Sequence, residues 1–177
     1  MRIPFSLFVL ALVAACVPRA EPPAPPPAPA PAPPPASPPP APAAAALTGE
    51  WRDWPLTPGN WTYRRDARGS VAVYGPPGAD AVLTLRCDLP ARRMHLSRIG
   101  TGASPLTVRT TSLTRALQVQ PASGTPAEVT LALAPTDPLL DAMAFSRGRF
   151  VVEQAGSPPL VVPAWAEVGR VTEDCRA

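Results

Sequence analysis

The sequence predicts a mainly β protein, an antiparallel β-sandwich with one or two short helices, the C-terminal one linked to a strand by a disulfide. Three observations predict this fold class. Short segments that alternate apolar and polar residues are separated by Gly and Pro turns. Two segments late in the chain carry helix-start signals. Two of the three cysteines lie where a strand and the last helix are expected.

The first fifteen residues have the organisation of an export signal. Arg2 provides a positive start, an apolar run covers residues 5–15, and small residues precede Cys16. The run is shorter than the roughly 20 apolar residues of a membrane-spanning helix. A buried N-terminal helix is excluded because proline-rich sequence follows at once and leaves it nothing to pack against. Residues 1–15 are therefore predicted to be a signal peptide.

The residues before Cys16 predict how that signal is removed. The sequence Val13-Ala14-Ala15-Cys16 resembles the lipobox of bacterial lipoproteins, in which the cysteine is lipidated and becomes the first residue. The resemblance implies lipidation at Cys16 and stable membrane anchoring by several acyl chains. No Asp follows the cysteine, which in Gram-negative lipoproteins implies sorting to the outer membrane. Simple secretion with cleavage after Ala15 is the alternative.

Residues 16–46 are predicted to be the lipidated cysteine followed by a disordered tether. Proline runs at residues 25–27, 33–35 and 38–40 oppose helix and sheet and favour extended polyproline conformations. At about 3.1 Å per residue, such a segment reaches roughly 90 Å when fully extended. A recognised Pro-rich ligand is the alternative to an inert spacer. Residues 47–177 then form a single β-rich domain, long enough for one core.

Period-two alternation defines the strands of this domain. Leu83, Leu85 and Cys87 share one face of their strand, and in the next strand Met94 and Leu96 lie opposite His95 and Ser97. The residues around Gly100 are expected to form a hairpin turn. The predicted strands cover residues 70–74, 82–87, 93–99, 106–113, 129–133, 150–152 and 160–162.

Two short helices are predicted near the C-terminus. Asp137 is a candidate N-cap, Pro138 suits the first turn, and the helix continues to Phe145 and ends near Gly148. Pro163 is expected to open the second helix, which runs over residues 164–174. In that helix, the spacing i, i+3 and i+7 places Val168, Val171 and Cys175 on one face.

Cys87 and Cys175 are predicted to form a disulfide. If Cys16 is lipidated, an even pair remains, and an oxidising compartment favours its bonding. Both cysteines also lie on the apolar faces of their elements. Closing a loop of this length stabilises a domain by roughly 4 kcal/mol in chain-entropy estimates.

The order of these segments is similar to that of two families of periplasmic proteins. Leu85-Arg86-Cys87 precedes a basic strand, a late helix leads into residues 149–152, and the chain closes with Glu173-Asp174-Cys175. This order resembles the invasion-associated locus B family and a type VI secretion-associated periplasmic family, over residues 71–175. The resemblance implies a disulfide-containing β-sandwich, export and the cysteine pair, and it transfers no catalytic residues.

Arginines supply the first candidate binding surface. All sixteen basic residues are Arg. The net charge is only +3 and two of the arginines precede the domain, so the domain is nearly balanced in charge and no nucleic-acid partner is predicted. Arg92, Arg93 and Arg98, with further arginines at positions 64, 65 and 68, are candidates for binding anionic polymers or lipid. We favour the alternative, a charged strand face that prevents edge-to-edge pairing.

Three tryptophans form the second candidate binding surface. Trp51, Trp54 and Trp61 follow the tether closely, and exposed rings of this kind stack on sugars. We favour the alternative, in which they fix the N-terminal segment to the core.

No catalytic residue, metal ligand or cofactor is predicted. His95 is the only histidine and is expected on an outward strand face, and a Gly-x-Ser-x-Gly elbow is absent. Clustered Cys and His ligands for zinc are also absent. Asp137 and Asp141 are four residues apart, as in a carboxylate pair, but are better explained by capping and by solvated helix surface.

These features predict a membrane-anchored envelope lipoprotein, at the outer membrane with its domain facing the periplasm. Its expected role is that of a non-enzymatic adaptor or assembly factor, and its expected partners are the membrane and an envelope protein. A peptidoglycan- or glycan-binding module is the alternative, and an envelope hydrolase is a more distant one.

Overall fold

Ten strands form two antiparallel sheets in the computed structural model, which describes residues 47–177. The predictions for Cys16, the signal peptide and the tether lie outside the described residues. The strands are β1 (Asn60–Asp66), β2 (Gly69–Gly75), β3 (Leu83–Asp88), β4 (Arg93–Ile99), β5 (Leu106–Arg109), β6 (Thr114–Leu117), β7 (Gln120–Ala122), β8 (Glu128–Leu133), β9 (Arg149–Gln154) and β10 (Ser157–Pro163). The larger sheet has the order β1-β2-β3-β4-β8-β7, and the smaller sheet has the order β10-β9-β5-β6. The predicted β-sandwich class is confirmed.

The core lies on the inner face of the larger sheet. Leu83, Leu85, Cys87, Met94 and Leu96 have no solvent exposure, as the alternation of β3 and β4 predicts. Apolar residues of the smaller sheet and of the two helices join them in one buried cluster. The pleat sends alternate side chains of the same strands to the opposite face. The residues between these core positions therefore form the outer surface of the larger sheet.

Helix α1 (Pro138–Ala144) forms where the sequence predicts it. The Asp137 carboxylate accepts a hydrogen bond from the backbone N–H of Leu139 at 2.9 Å, and Pro138 occupies the first turn. Phe145 is the C-cap residue. The cap and the proline explain why the helix begins here. The predicted capping role of Asp137 is confirmed.

Helix α2 (Ala166–Arg176) packs on the inner face of the larger sheet and is joined to it by a disulfide. Val168, Val171 and Cys175 are buried on one helix face, as their spacing predicts. The predicted Cys87–Cys175 disulfide is present, with the two Cα atoms 5.3 Å apart. Within residues 47–177, neither helix is long and apolar enough to cross a bilayer.

The segment before β1 covers the outer face of the smaller sheet. Trp51, in a 3-10 turn (Trp51–Asp53), forms a small cluster with Val151 of β9 and Val161 of β10, and Leu47 and Trp54 pack against it. Because Val151 and Val161 point away from the main core, the sheet needs this cover to keep them from water. The N-terminal segment is thus part of the domain.

Several sequence predictions were wrong in detail. Residues 106–113 do not form one strand, because the chain turns after Arg109 and returns as β6. The residues around Gly100 are not a hairpin turn, since they join β4 of the larger sheet to β5 of the smaller one. Pro163 ends β10 instead of opening a helix, and the cap position of α2 is Trp165. The short β7 and the charged β1 were not predicted.

Candidate functional site

The structure separates the three arginines that the sequence grouped as a candidate surface. Arg92 and Arg93 are exposed where the β3–β4 turn enters β4. Arg92 adopts a positive φ of 49° in this turn, and its N–H donates to the Leu89 carbonyl. Arg98 lies on the opposite, inner face of β4 and is only 3% exposed. Including Arg98 in the binding surface was therefore wrong.

Arg98 binds backbone carbonyls between the sheets. Its guanidinium donates from Nε to Ile99 O at 3.2 Å, from Nη1 to Val152 O at 3.4 Å and from Nη2 to Pro158 O at 3.1 Å. Burial lowers the pKa of this guanidinium. Within the described part of the chain, it forms no salt bridge to a carboxylate. Arg98 is thus a structural residue that joins the two sheets.

Two prolines explain why these carbonyls need an arginine. The pairing of β9 with β10 shifts register between Ser157 and Leu160, at Pro158 and Pro159. Prolines have no N–H, so they cannot donate to the facing strand. Carbonyls beside the shift would remain unsatisfied in a buried place, at a cost of roughly 1–3 kcal/mol each. The arginine supplies donors where the sheet has none.

A row of basic side chains crosses the outer face of the larger sheet. Cross-strand pairing aligns Arg64 of β1, Val71 of β2, Arg86 of β3 and His95 of β4. Val71 is only 2% exposed although it faces outward, as expected when the stems of the flanking arginines lie over it. Arg93 lies two residues from His95 on the same face. We call Arg64, Arg68, Arg86, Arg93 and His95 the arginine face.

Two aspartates neutralise part of this face. Asp66 accepts a hydrogen bond from Arg86 at 2.6 Å, and this bond, followed by the N–H of Arg68, lowers the pKa of Asp66. Asp88 pairs with Arg68, and the pKa of Asp88 is lowered first by the Ala91 N–H and then by Arg68. Among the described residues, Arg64 and Arg93 form no salt bridge. The face therefore has an excess of positive charge.

A second row on the same face carries hydroxyl groups. Thr62, Thr84, Ser97 and Thr130 lie in register across the sheet, with Val73 between the first two. The loop that follows β2 borders this row and forms an open cleft of about 400 Å³. Its lining includes Asn60, Thr62, Val73 and Pro76. The cleft volume falls within the range of small-molecule sites, and polar atoms lie close to the arginine row.

The three tryptophans at positions 51, 54 and 61 have two separate positions. Trp51 is 8% exposed beneath Arg52, whose guanidinium carbon lies 4.7 Å from the ring centroid, and Trp54 is half-buried. Trp61 lies in the main core, where its indole N–H donates to Pro163 O at 2.8 Å. The burial of Trp51 and Trp61 agrees with the favoured packing role. A sugar platform that includes Trp51 is excluded by its burial.

Other aromatic residues are exposed where α1 ends and α2 begins. Phe145 is 78% exposed and Trp165 is 45% exposed. The Ala164 N–H donates to Gly148 O, so Trp165 lies beside the loop that follows Phe145. Arg149 donates to Trp54 O, which brings Trp54 to the same region. We call Phe145, Trp165 and Trp54 the aromatic end.

This region was missed by sequence analysis for a physical reason. Phe145 closes an apolar helical segment, and periodicity assigns such a residue to the buried face. The arginine face had a clearer signal, because Arg86 and His95 alternate with the core residues Leu85 and Met94. Joining them to Arg64 required the pairing of β1, which the sequence did not predict.

The candidate carboxylates have structural partners. Asp137 caps α1 and accepts a hydrogen bond from Arg115 at 2.8 Å, and Asp141 pairs with Arg176. Asp174 accepts hydrogen bonds from Tyr63 and Arg65 of β1, so its carboxylate joins α2 to the larger sheet. Within residues 47–177, no three His, Cys, Asp or Glu side chains cluster as metal ligands do.

Comparisons with known proteins found no similar protein. No protein-family model, no curated protein and no solved structure matches this chain.

Proposed function

We propose that this chain is a lipid-anchored protein of the bacterial cell envelope. Removal of residues 1–15 would leave Cys16 lipidated at the outer membrane, and residues 17–46 would tether the domain, which faces the periplasm. The lipobox-like sequence and the proline runs support this proposal. The Cys87–Cys175 disulfide is consistent with an oxidising compartment.

The domain acts as a non-enzymatic adaptor or assembly factor, with the aromatic end as its contact surface. The exposure of Phe145 is the observation that carries this role. Fully burying a Phe side chain gains about 1.5–3 kcal/mol, so a partner that covers this ring gains affinity. Aromatic residues and arginine are also the residue types enriched in protein interfaces.

The loop that carries Phe145 is held in one conformation. The Ser146 hydroxyl donates to Arg149 O and accepts from the Thr111 N–H, while the Arg147 N–H donates to the Thr111 hydroxyl. Ordering a flexible loop on binding costs free energy, and a preorganised loop avoids much of that cost. The exposed ring therefore belongs to a surface ready for contact.

Photo-crosslinking in cells tests the adaptor role. A photoreactive amino acid replaces Phe145 in the full lipoprotein, and Leu89 serves as the matched control because it is also an exposed large apolar residue but lies in the β3–β4 turn. We expect a single stoichiometric protein adduct from position 145 and none from position 89. The same scattered neighbours at both positions would contradict the adaptor role.

Glycan binding is the second candidate function. The observation that favours it is the arginine face with its adjoining hydroxyl row, both on the open side of the larger sheet. This surface shares no residue with the aromatic end. The two functions can therefore be tested by separate variants.

A further inference from the structure

We infer that the arginine face binds a carboxylate-bearing glycan, which would be peptidoglycan with its stem-peptide carboxylates. The inference rests on the envelope location proposed above and deepens the second candidate function, but it is independent of the adaptor role.

The positive charge of the arginine face favours a negatively charged ligand. Four arginines and one histidine face two aspartates, and each aspartate is paired with one arginine. Arg64 and Arg93 form no salt bridge within the described residues, so their guanidinium groups are available for an incoming anion. Guanidinium groups bind carboxylates through paired N–H donors.

The spacing of the arginines favours a polymer over a single anion. Arg64 and Arg86 are two strands apart, which separates their Cα atoms by about 10 Å. Arg64 and Arg93, the two arginines of this face without a carboxylate partner among the described residues, are three strands apart and two residues out of register, so their Cα atoms are about 16 Å apart. Their guanidinium groups match carboxylates repeated along a chain that crosses the sheet.

The surroundings favour a sugar chain over a lipid surface. The cleft of about 400 Å³ beside Asn60 and Thr62 has room for a sugar ring. The hydroxyl row from Thr84 to Thr130 supplies donors and acceptors along the path of such a chain. Bilayer insertion needs several exposed apolar side chains on one surface. Among the exposed large apolar residues of the described chain, Leu89 alone borders the arginine face, where its N–H donates to Arg68 O, and Leu56, Phe145 and Trp165 belong to other segments.

The experiment measures binding of the full-length lipoprotein in a non-ionic detergent to fluorescently labelled, soluble peptidoglycan fragments. The same fragments with their carboxylates converted to amides serve as the matched ligand. The test variant is the double substitution Arg64→Glu and Arg93→Glu. Arg147→Glu is the control, because Arg147 is exposed and lies outside the arginine face.

We expect saturable binding that weakens about tenfold when the fragments are amidated and about tenfold in the double variant, with no change in the control. Added salt should also weaken binding, since exposed charges are screened. The inference is overturned if the wild type fails to bind, if amidated fragments bind equally, or if the double variant binds like the wild type. Tighter binding to vesicles that contain phosphatidylglycerol would replace the glycan with a lipid surface.

Failure of this inference and failure of the envelope proposal give different results. A lipidated, exported protein that ignores the fragments overturns only the glycan ligand. A protein that lacks lipid but still binds the fragments through Arg64 and Arg93 overturns the anchor and leaves the binding site in place.

Discussion

At the scale of single residues, one arginine determines how the two sheets meet. The backbone at Pro158 and Pro159 lacks N–H donors, and Arg98 supplies them from the other sheet. The charge costs free energy to bury, as its lowered pKa indicates. The hydrogen bonds to three backbone carbonyls offset part of that cost.

Arg98→Met tests this account. Methionine fills much of the volume but donates no hydrogen bond, so we expect a loss of about 2 kcal/mol in the free energy of unfolding. Urea titration followed by tryptophan fluorescence measures the difference. Arg93→Met is the matched control on the outer face, with an expected change within about 0.5 kcal/mol. Equal effects of the two substitutions would show that the buried carbonyls do not depend on Arg98.

The alternation of β4 predicts an inward position for Arg98, whereas its charge predicts a position on the surface. Met94, Leu96 and Arg98 are each two residues apart, so alternation places all three on the core side. Charge alone suggested exposure, and no pattern in β4 reveals a bulge in β10. Two of its three carbonyl partners are more than fifty residues away along the chain, and local sequence cannot specify them.

At the scale of elements, α2 is attached to the larger sheet by more than the disulfide. Asp174 accepts hydrogen bonds from Tyr63 and Arg65 of β1, and Arg170 lies over the Tyr63 ring at 4.2 Å. Burial alone would raise the pKa of Asp174, but the hydrogen bonds from Tyr63 and Arg65 and the charge of Arg65 lower it overall. The ionised carboxylate therefore stabilises the position of α2 on β1.

The stability that Asp174 gives to the contact between α2 and β1 should depend on pH in the acid range. The pKa of Asp174 is lower in the folded chain than its value of about 3.9 in an unfolded one. Its contribution is fully present above the unfolded value and is lost as the pH falls through the folded value. At neutral pH we expect Asp174→Asn to cost about 1 kcal/mol, and the difference from the wild type should shrink as the pH falls below the unfolded value.

Unfolding by urea at several pH values measures this dependence. Glu173→Gln is the control, because Glu173 is exposed and adjoins Asp174 in the same helix. A difference between wild type and Asp174→Asn that stays constant from pH 7 to pH 2 would contradict the role of the ionised carboxylate.

The elements that were predicted correctly have strong local signals, and the errors have non-local causes. The cap at Asp137 and the alternation in β3 act within a few residues. Whether the residues around Gly100 turn back or cross to another sheet depends on which strand pairs with β5. That strand is β9, more than forty residues later. Strand β1 has the alternating pair Trp61 and Tyr63, but its charged residues obscured the pattern.

At the scale of the whole molecule, the proposed anchor makes one direct prediction. Replacing Cys16 by Ala should abolish labelling by an alkyne-tagged fatty acid and release the protein from the membrane fraction, because acyl chains would be its means of attachment. Cys87→Ala is the control, since Cys87 bonds with Cys175 inside the domain and its loss should leave the label in place. Continued fatty-acid labelling of the Cys16→Ala variant would contradict lipidation at this residue.

The small cluster around Trp51 has a mechanical consequence for a domain held by its N-terminus. Tension along the chain enters at Leu47 and reaches Trp51, Val151 and Val161, which form a cluster separate from the main core. Because Trp51 is the first buried residue on this path, we expect the cluster to yield before the main core does. Its release would free residues 47–56, which is about 35 Å of extended chain, because Thr57 is held by hydrogen bonds to Val161 and Tyr74. The Cys87–Cys175 bond secures the remaining fold. The segment would thus lengthen under tension and limit the force that reaches the rest of the domain from whatever holds its N-terminus.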